Sequence, residues 1–137
     1  MKKIEPITFE KATDVPKGWG KEVQIVNEVV EDQTSFPSGY SGKLLVYTKR
    51  NATSSLHFHI RKHETFYCLC GEFLINYFDL DIAQILTRKI CAGDKVRIPP
   101  GNPHQIICLT NEGTIIEFAS SDYTFDNYRI GKGDSQK

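Results

Sequence analysis

The feature that most restricts this chain is a succession of short β-prone segments punctuated by turn residues. Apolar and β-branched stretches recur at residues 23–30, 43–48, 55–60, 65–70, 73–78, 83–90, 95–98, 105–109 and 114–119. Between them stand turn signals at 36–39, 49–51, 70–72, 92–94, 99–103 and 111–113, rich in Gly, Asn and Pro. These residues supply the dihedral angles that reverse a chain, and short strands at this spacing build sandwiches or barrels. No segment carries a convincing long helical period, so an all-β sandwich or barrel is expected.

Length and charge narrow the rest. A chain of 137 residues without internal repeats or low-complexity stretches is one domain's worth. We expect a single domain over 1–137, with residues 1–20 as an N-terminal arm and 131–137 as a polar tail. Lys+Arg (17) balances Asp+Glu (17), so the electrostatic surplus that nucleic-acid or anionic-membrane binding needs is missing. Neither partner is expected. No apolar core follows the two N-terminal lysines, and no stretch approaches roughly 18 consecutive apolar residues, which points to a cytoplasmic protein. Cys68, Cys70, Cys91 and Cys108 show no CxxC spacing and read as reduced core residues.

All four histidines fall in two short segments. On a strand, residues two apart share a face, so His57 and His59 point one way and Phe58 the other. Glu64 follows after a polar turn that can return the next strand alongside and aim a carboxylate at the same point. His104 follows the rigid Pro99-Pro100-Gly101-Asn102-Pro103 turn. Three imidazoles and one carboxylate suit Mn, Fe, Co, Ni, Cu or Zn. An HxH pair alone fits surface or core imidazoles equally well, so the residues by themselves leave both readings open. His63 stays in the turn, outside the candidate set.

These segments resemble the two motifs of the cupin superfamily. His57-Phe58-His59, four residues, Glu64, six residues and Gly71 match the first, and Gly93, Pro99, Gly101 and His104 match the second. Two positions depart from the pattern: Asn51 stands where the first motif opens on Gly, and Cys108 where the second closes on Asn. The resemblance implies a jelly-roll barrel (the cupin double-stranded β-helix), one divalent metal ion on His57, His59, Glu64 and His104, and a homodimer.

A looser likeness points toward sugars. Lys17-Gly18-Trp19-Gly20, the stretch from His57 to Phe66, Ile115-Ile116-Glu117-Phe118 and the segment 122–129 are similar to parts of the type II mannose-6-phosphate isomerase cupin domain. The HxHxxKxE wording of His57 to Glu64 also resembles cupin-type lyxose and mannose isomerases. The implied chemistry is isomerisation or epimerisation of a sugar or sugar phosphate, a carbohydrate being the expected partner. Such a reaction needs a base near the carbon acid and a cation for the oxyanion. Glu117, Lys62 and His63 are candidates for the base. Glu117 and Lys62 are favoured, because alternation on the closing strand turns Glu117 into the barrel if Phe118 faces out, where burial raises its pKa. Arg97, Tyr128 and Arg129 are candidate substrate-binding residues, Arg for oxyanions and Tyr for stacking on a sugar ring. The same ligand set also serves metal-dependent dioxygenases of the three-His, one-Glu type, and a non-catalytic sugar-binding protein is a further alternative.

Overall fold

Alternation along antiparallel strands gives each strand a face for the interior and a face for solvent. In the computed structural model, which describes residues 4–29 and 39–137, the strands are β1 (Thr13–Lys17), β2 (Gly20–Val29), β3 (Gly39–Tyr47), β4 (Leu56–Phe58), β5 (Glu64–Cys70), β6 (Glu72–Asp79), β7 (Gln84–Cys91), β8 (Lys95–Ile98), β9 (His104–Cys108), β10 (Gly113–Ala119) and β11 (Tyr128–Gly131). They form a six-stranded sheet in the order β1-β2-β3-β10-β5-β8 and a five-stranded sheet in the order β11-β4-β9-β6-β7. The two antiparallel sheets make the expected jelly-roll sandwich. Val30 and the expected turn residues 36–38 lie outside the described residues.

The interior changes character along its strands. At one end Tyr47, Phe66, Cys68, Phe73, Ile75, Cys108 and Ile115 are almost fully buried. Burying a Phe or Ile side chain contributes about 1.5–3 kcal/mol, and this end is the hydrophobic anchor. The register of β10 against β3 pairs Gly113 with Tyr47, Ile115 with Leu45 and Glu117 with Lys43. Stepping two residues at a time along the inward face thus passes from apolar to charged. β5 makes the same transition in reverse, with Glu64 buried ahead of Phe66 and Cys68.

Several expectations are adjusted by the structure. β1 and β11 are strands that no apolar run announced. The segment 131–137, expected as a polar tail, is clasped against the barrel. Asp134 accepts the Thr53 N–H at 2.8 Å and returns its own N–H to the Thr53 carbonyl at 2.8 Å, while Ser135 Oγ accepts the Gly18 N–H. Of the cysteines, all free, Cys68 and Cys108 are core residues but Cys70 and Cys91 are exposed. A register shift between Thr114 and Ile115 breaks the alternation opposite Cys70.

The two motif departures turn out to face each other. Asn51 has φ 65, the left-handed region that Gly favours and Asn tolerates better than most residues. Its N–H donates to the Cys108 carbonyl at 2.7 Å, and the Cys108 N–H donates to the Ala52 carbonyl at 2.9 Å. The turn is kept by backbone bonds that neither substitution removes.

Candidate metal centre

Strand pairing assembles the histidines. β4 lies antiparallel to β9 with His57 opposite His104, and their ring centroids are 4.6 Å apart. His59, one residue beyond β4, brings its ring to 5.0 Å from His57 and 5.9 Å from His104. One nitrogen from each ring lies within 4.8 Å of the others. Glu64 opens β5 beneath them, with Oε2 3.1 Å from His104 Nε2 and Oε1 3.4 Å from His59 Nε2.

The far side of each imidazole decides what the near side can do. Nδ1 of His57, His59 and His104 lies 3.0, 2.6 and 2.9 Å from the carbonyls of Ser55, Asp126 and Asn102 respectively. A carbonyl only accepts, so each Nδ1 carries the proton and each neutral ring presents its Nε2 lone pair to the cluster. The Nε2 atoms of His59 and His104 and Oε2 of Glu64 are buried without a hydrogen-bond partner. Lone pairs facing a carboxylate at 3.1–3.4 Å repel unless a positive charge lies among them. This donor set fits a cation, either protons or a metal ion. Burial opposes a proton on His59, but Glu64 outweighs it and raises the pKa. His57, by contrast, is driven down to about 3 by burial and by the other two imidazoles.

The chain holds the cluster stiffly. Asp126 is buried, and its carboxylate accepts the backbone N–H groups of Ile60, Arg61 and Lys62 at 2.8–3.2 Å while its carbonyl orients His59. Gly101 turns the proline-rich loop at φ 82 and donates its N–H to the His59 carbonyl at 2.6 Å.

A charged shell surrounds one side of a cavity of about 320 Å³. Lys62 Nζ sits 3.0 Å from Glu64, 3.1 Å from Glu117 and 3.4 Å from Asp122. Lys43 reaches Asp122 at 3.1 Å, Glu22 at 3.6 Å and Glu117 at 3.7 Å. Burial pushes the Glu117 carboxyl up and Glu64 adds to the rise, against the pull of Lys62. Glu64 itself is held well below the usual range, burial being overcome by His104, His59 and Lys62. Burial opposes the charge on Lys62, but the carboxylates outweigh it and hold the ammonium protonated.

The candidates separate cleanly by position. Lys62 and Glu117 are buried beside Glu64, and Phe118 is exposed on the opposite face, as the alternation required. Arg129, opposite His57 in the β11–β4 register, lines the cavity mouth. Tyr128 does not enter the cavity: its ring stacks on Phe58 at 5.2 Å, on the face of β4 away from His57. Arg97 is exposed on β8, away from the histidines, and lines a separate cleft. His63 is half-buried and outside the imidazole cluster. Trp19 stacks on Tyr47 at 4.5 Å, filling core at the cavity wall. Sequence reasoning missed Lys43, Glu22, Asp122 and Asp126. Asp122 and Asp126 had a signal, their place in the segment 122–129.

The sequence profile of the family described as Cupin matches residues 22–130. The chain belongs to the cupin family. No curated protein matches it in sequence. Among solved structures, this cupin is similar to the capsular polysaccharide assembling protein CapF of Staphylococcus aureus (17% identity, TM-score 0.73, covering 90% of this chain and 33% of that one). It is also similar to oxalate decarboxylase of Bacillus subtilis at pH 4.6 (17%, TM-score 0.74, 95% and 33%), a protein with Mn(II) centres. At this identity the likeness is one of fold. The cupin spans about a third of the length of these chains. Among the described residues no helix is long and apolar enough to cross a membrane.

Proposed function

We propose that this cupin binds one divalent transition-metal ion through His57, His59, His104 and Glu64 and isomerises or epimerises a sugar or sugar phosphate. The observation that carries the metal reading is the set of Nδ1 contacts, which leaves lone pairs converging on a carboxylate with nothing to receive them. Bound there, a divalent ion supplies Lewis-acid stabilisation of developing oxyanion charge.

The chain's own residues supply the rest. Glu117, its carboxyl raised by burial, is suited to hold and release a proton at the cavity wall. Lys62, in contact with both Glu117 and Glu64, opposes the repulsion between the two carboxylates. Lys43, Glu22, Gln24, Gln136 and Arg129 give the cavity donors and acceptors suited to hydroxyl groups. The name of CapF, a capsular polysaccharide assembling protein, is in keeping with a carbohydrate context.

The test is isotopic. Protein purified without added metal, assayed for metal content and incubated in heavy water with a panel of aldoses, ketoses and their phosphates, should move deuterium onto the carbon beside the carbonyl. Glu117→Gln should abolish that exchange and keep the metal. Metal-loaded protein that exchanges nothing, or that consumes oxygen with aromatic or thiol substrates, overturns the reading.

A further inference from the structure

A second cavity opens where the two sheets part. β7 is the outer strand of one sheet and β8 the outer strand of the other, and between them lies a cleft of about 410 Å³. That is the size of a small-molecule pocket, which characteristically sets a few polar groups around an apolar floor. Here the floor is Ile75, Ile90 and Ile98, all nearly inaccessible. Two aromatic side chains, Tyr77 and Phe78, and the prolines 99 and 103 complete the wall.

The rim is basic. Arg88, Lys95 and Arg97 line the cleft and make no ion pair or side-chain hydrogen bond among the described residues. Lys89 is different, pairing with Glu72 at 3.2 Å. Among the described residues the only carboxylate in the lining is Asp94, which accepts the Cys91 N–H at 2.9 Å and also feels the charge of Arg88. Three unpaired cations against one carboxylate leave an excess of two positive charges, in a chain whose Lys+Arg and Asp+Glu counts cancel. Two guanidinium forks beside an apolar floor match an anion with several oxygens carried on a molecule that also offers the face of a flat ring.

We propose that this cleft is a second ligand site, separate from the metal cavity, that takes a nucleoside diphosphate, a flat heteroaromatic base joined through its sugar to a diphosphate. The phosphates lie at Arg88 and Arg97, and the ring occupies the wall formed by Tyr77, Phe78 and the isoleucines. The proposal is independent of the sugar-isomerase reading, since none of these residues lines the metal cavity.

Titration calorimetry with uridine diphosphate, uridine and inorganic pyrophosphate as separate probes tests it. The expected result is saturable binding of the diphosphate, at least tenfold weaker binding of pyrophosphate or uridine alone, and at least a tenfold loss in the Arg88→Ser/Arg97→Ser variant. Both positions are exposed, so this variant should retain metal content and thermal midpoint, which are measured alongside. Binding should also survive chelation of the metal. The proposal is overturned if the diphosphate does not bind, if the double variant binds it unchanged, or if chelation abolishes binding. Sedimentation provides a further arm: a dimer that the double variant breaks, with no diphosphate binding to wild type, shows the cleft to be a subunit contact instead.

Discussion

The two cavities of this cupin use the same residue types to opposite ends. In the metal cavity, lysines and carboxylates are interleaved, so that Lys62 touches three carboxylates and Lys43 three, and the charges largely cancel. What remains uncompensated there is a set of lone pairs. In the β7–β8 cleft the cations stand over apolar floor without partners, and what remains uncompensated is positive charge. A site therefore announces its ligand by what its own groups leave unsatisfied: a cation in the first case, an anion in the second.

The contrast breaks most decisively at the imidazoles. His59→Ala should take the protein from one equivalent of metal to none by elemental analysis, and unchanged content would refute the assigned ligand set. Next comes Lys62→Met, which leaves Glu64, Glu117 and Asp122 without their shared cation. Removing one partner of a buried charge cluster costs about 3–5 kcal/mol, to be read as a fall in urea stability of the metal-free protein. A near-neutral result would mean that the shell is solvated rather than buried.

Asp126→Asn should act at one remove. It weakens the carboxylate's hold on three backbone N–H groups and loosens the loop bearing His59, so metal affinity should fall about 10–100-fold with the ligands intact. Competition against a chromogenic chelator measures it. The pH dependence of stability gives a smaller effect. Burial alone raises the Asp122 carboxyl, but Lys62 and Lys43 outweigh it and hold it below the usual range. A depressed folded-state pKa contributes stability that is present above the unfolded value of about 3.9 and lost as pH falls through the folded value. Urea midpoints should therefore drop below about pH 4, and Asp122→Asn should flatten that slope. Smallest of all, Arg97→Ser should shift stability by less than about 0.5 kcal/mol and leave metal content unchanged. A larger change in either would join the two cavities that the structure keeps apart.

Much of this architecture could be read before folding was considered. Nine strands declared themselves through apolar alternation, because each packs one face on the core. β1 (TDVPK) and β11 (YRIG) did not, since neither buries a single residue and so neither needs an apolar period. The imidazoles were legible because strand parity alone puts His57 and His59 on one face. Glu117 followed from the same parity. Lys43 and Glu22 were silent: their partnership exists only in the sheet register, and each alone looks like a solvated surface charge. Arg97 and Tyr128 show the converse: neither lines the metal cavity, Arg97 lying in the separate cleft and Tyr128 stacking on Phe58. Their chemistry suits a substrate, but side-chain type carries no information about which face or cavity a residue will reach.

One contact has a consequence for when the site comes into being. The carbonyl that fixes the His59 tautomer belongs to Asp126, 67 residues further along the chain. An unfolded or half-synthesised chain lacks that contact and offers its HxH pair as a mixture of tautomers, an indifferent chelator for any passing ion. The ordered lone pairs belong to the finished fold alone, so an ion held as proposed would find its site only after the Asp126 segment has docked on His59.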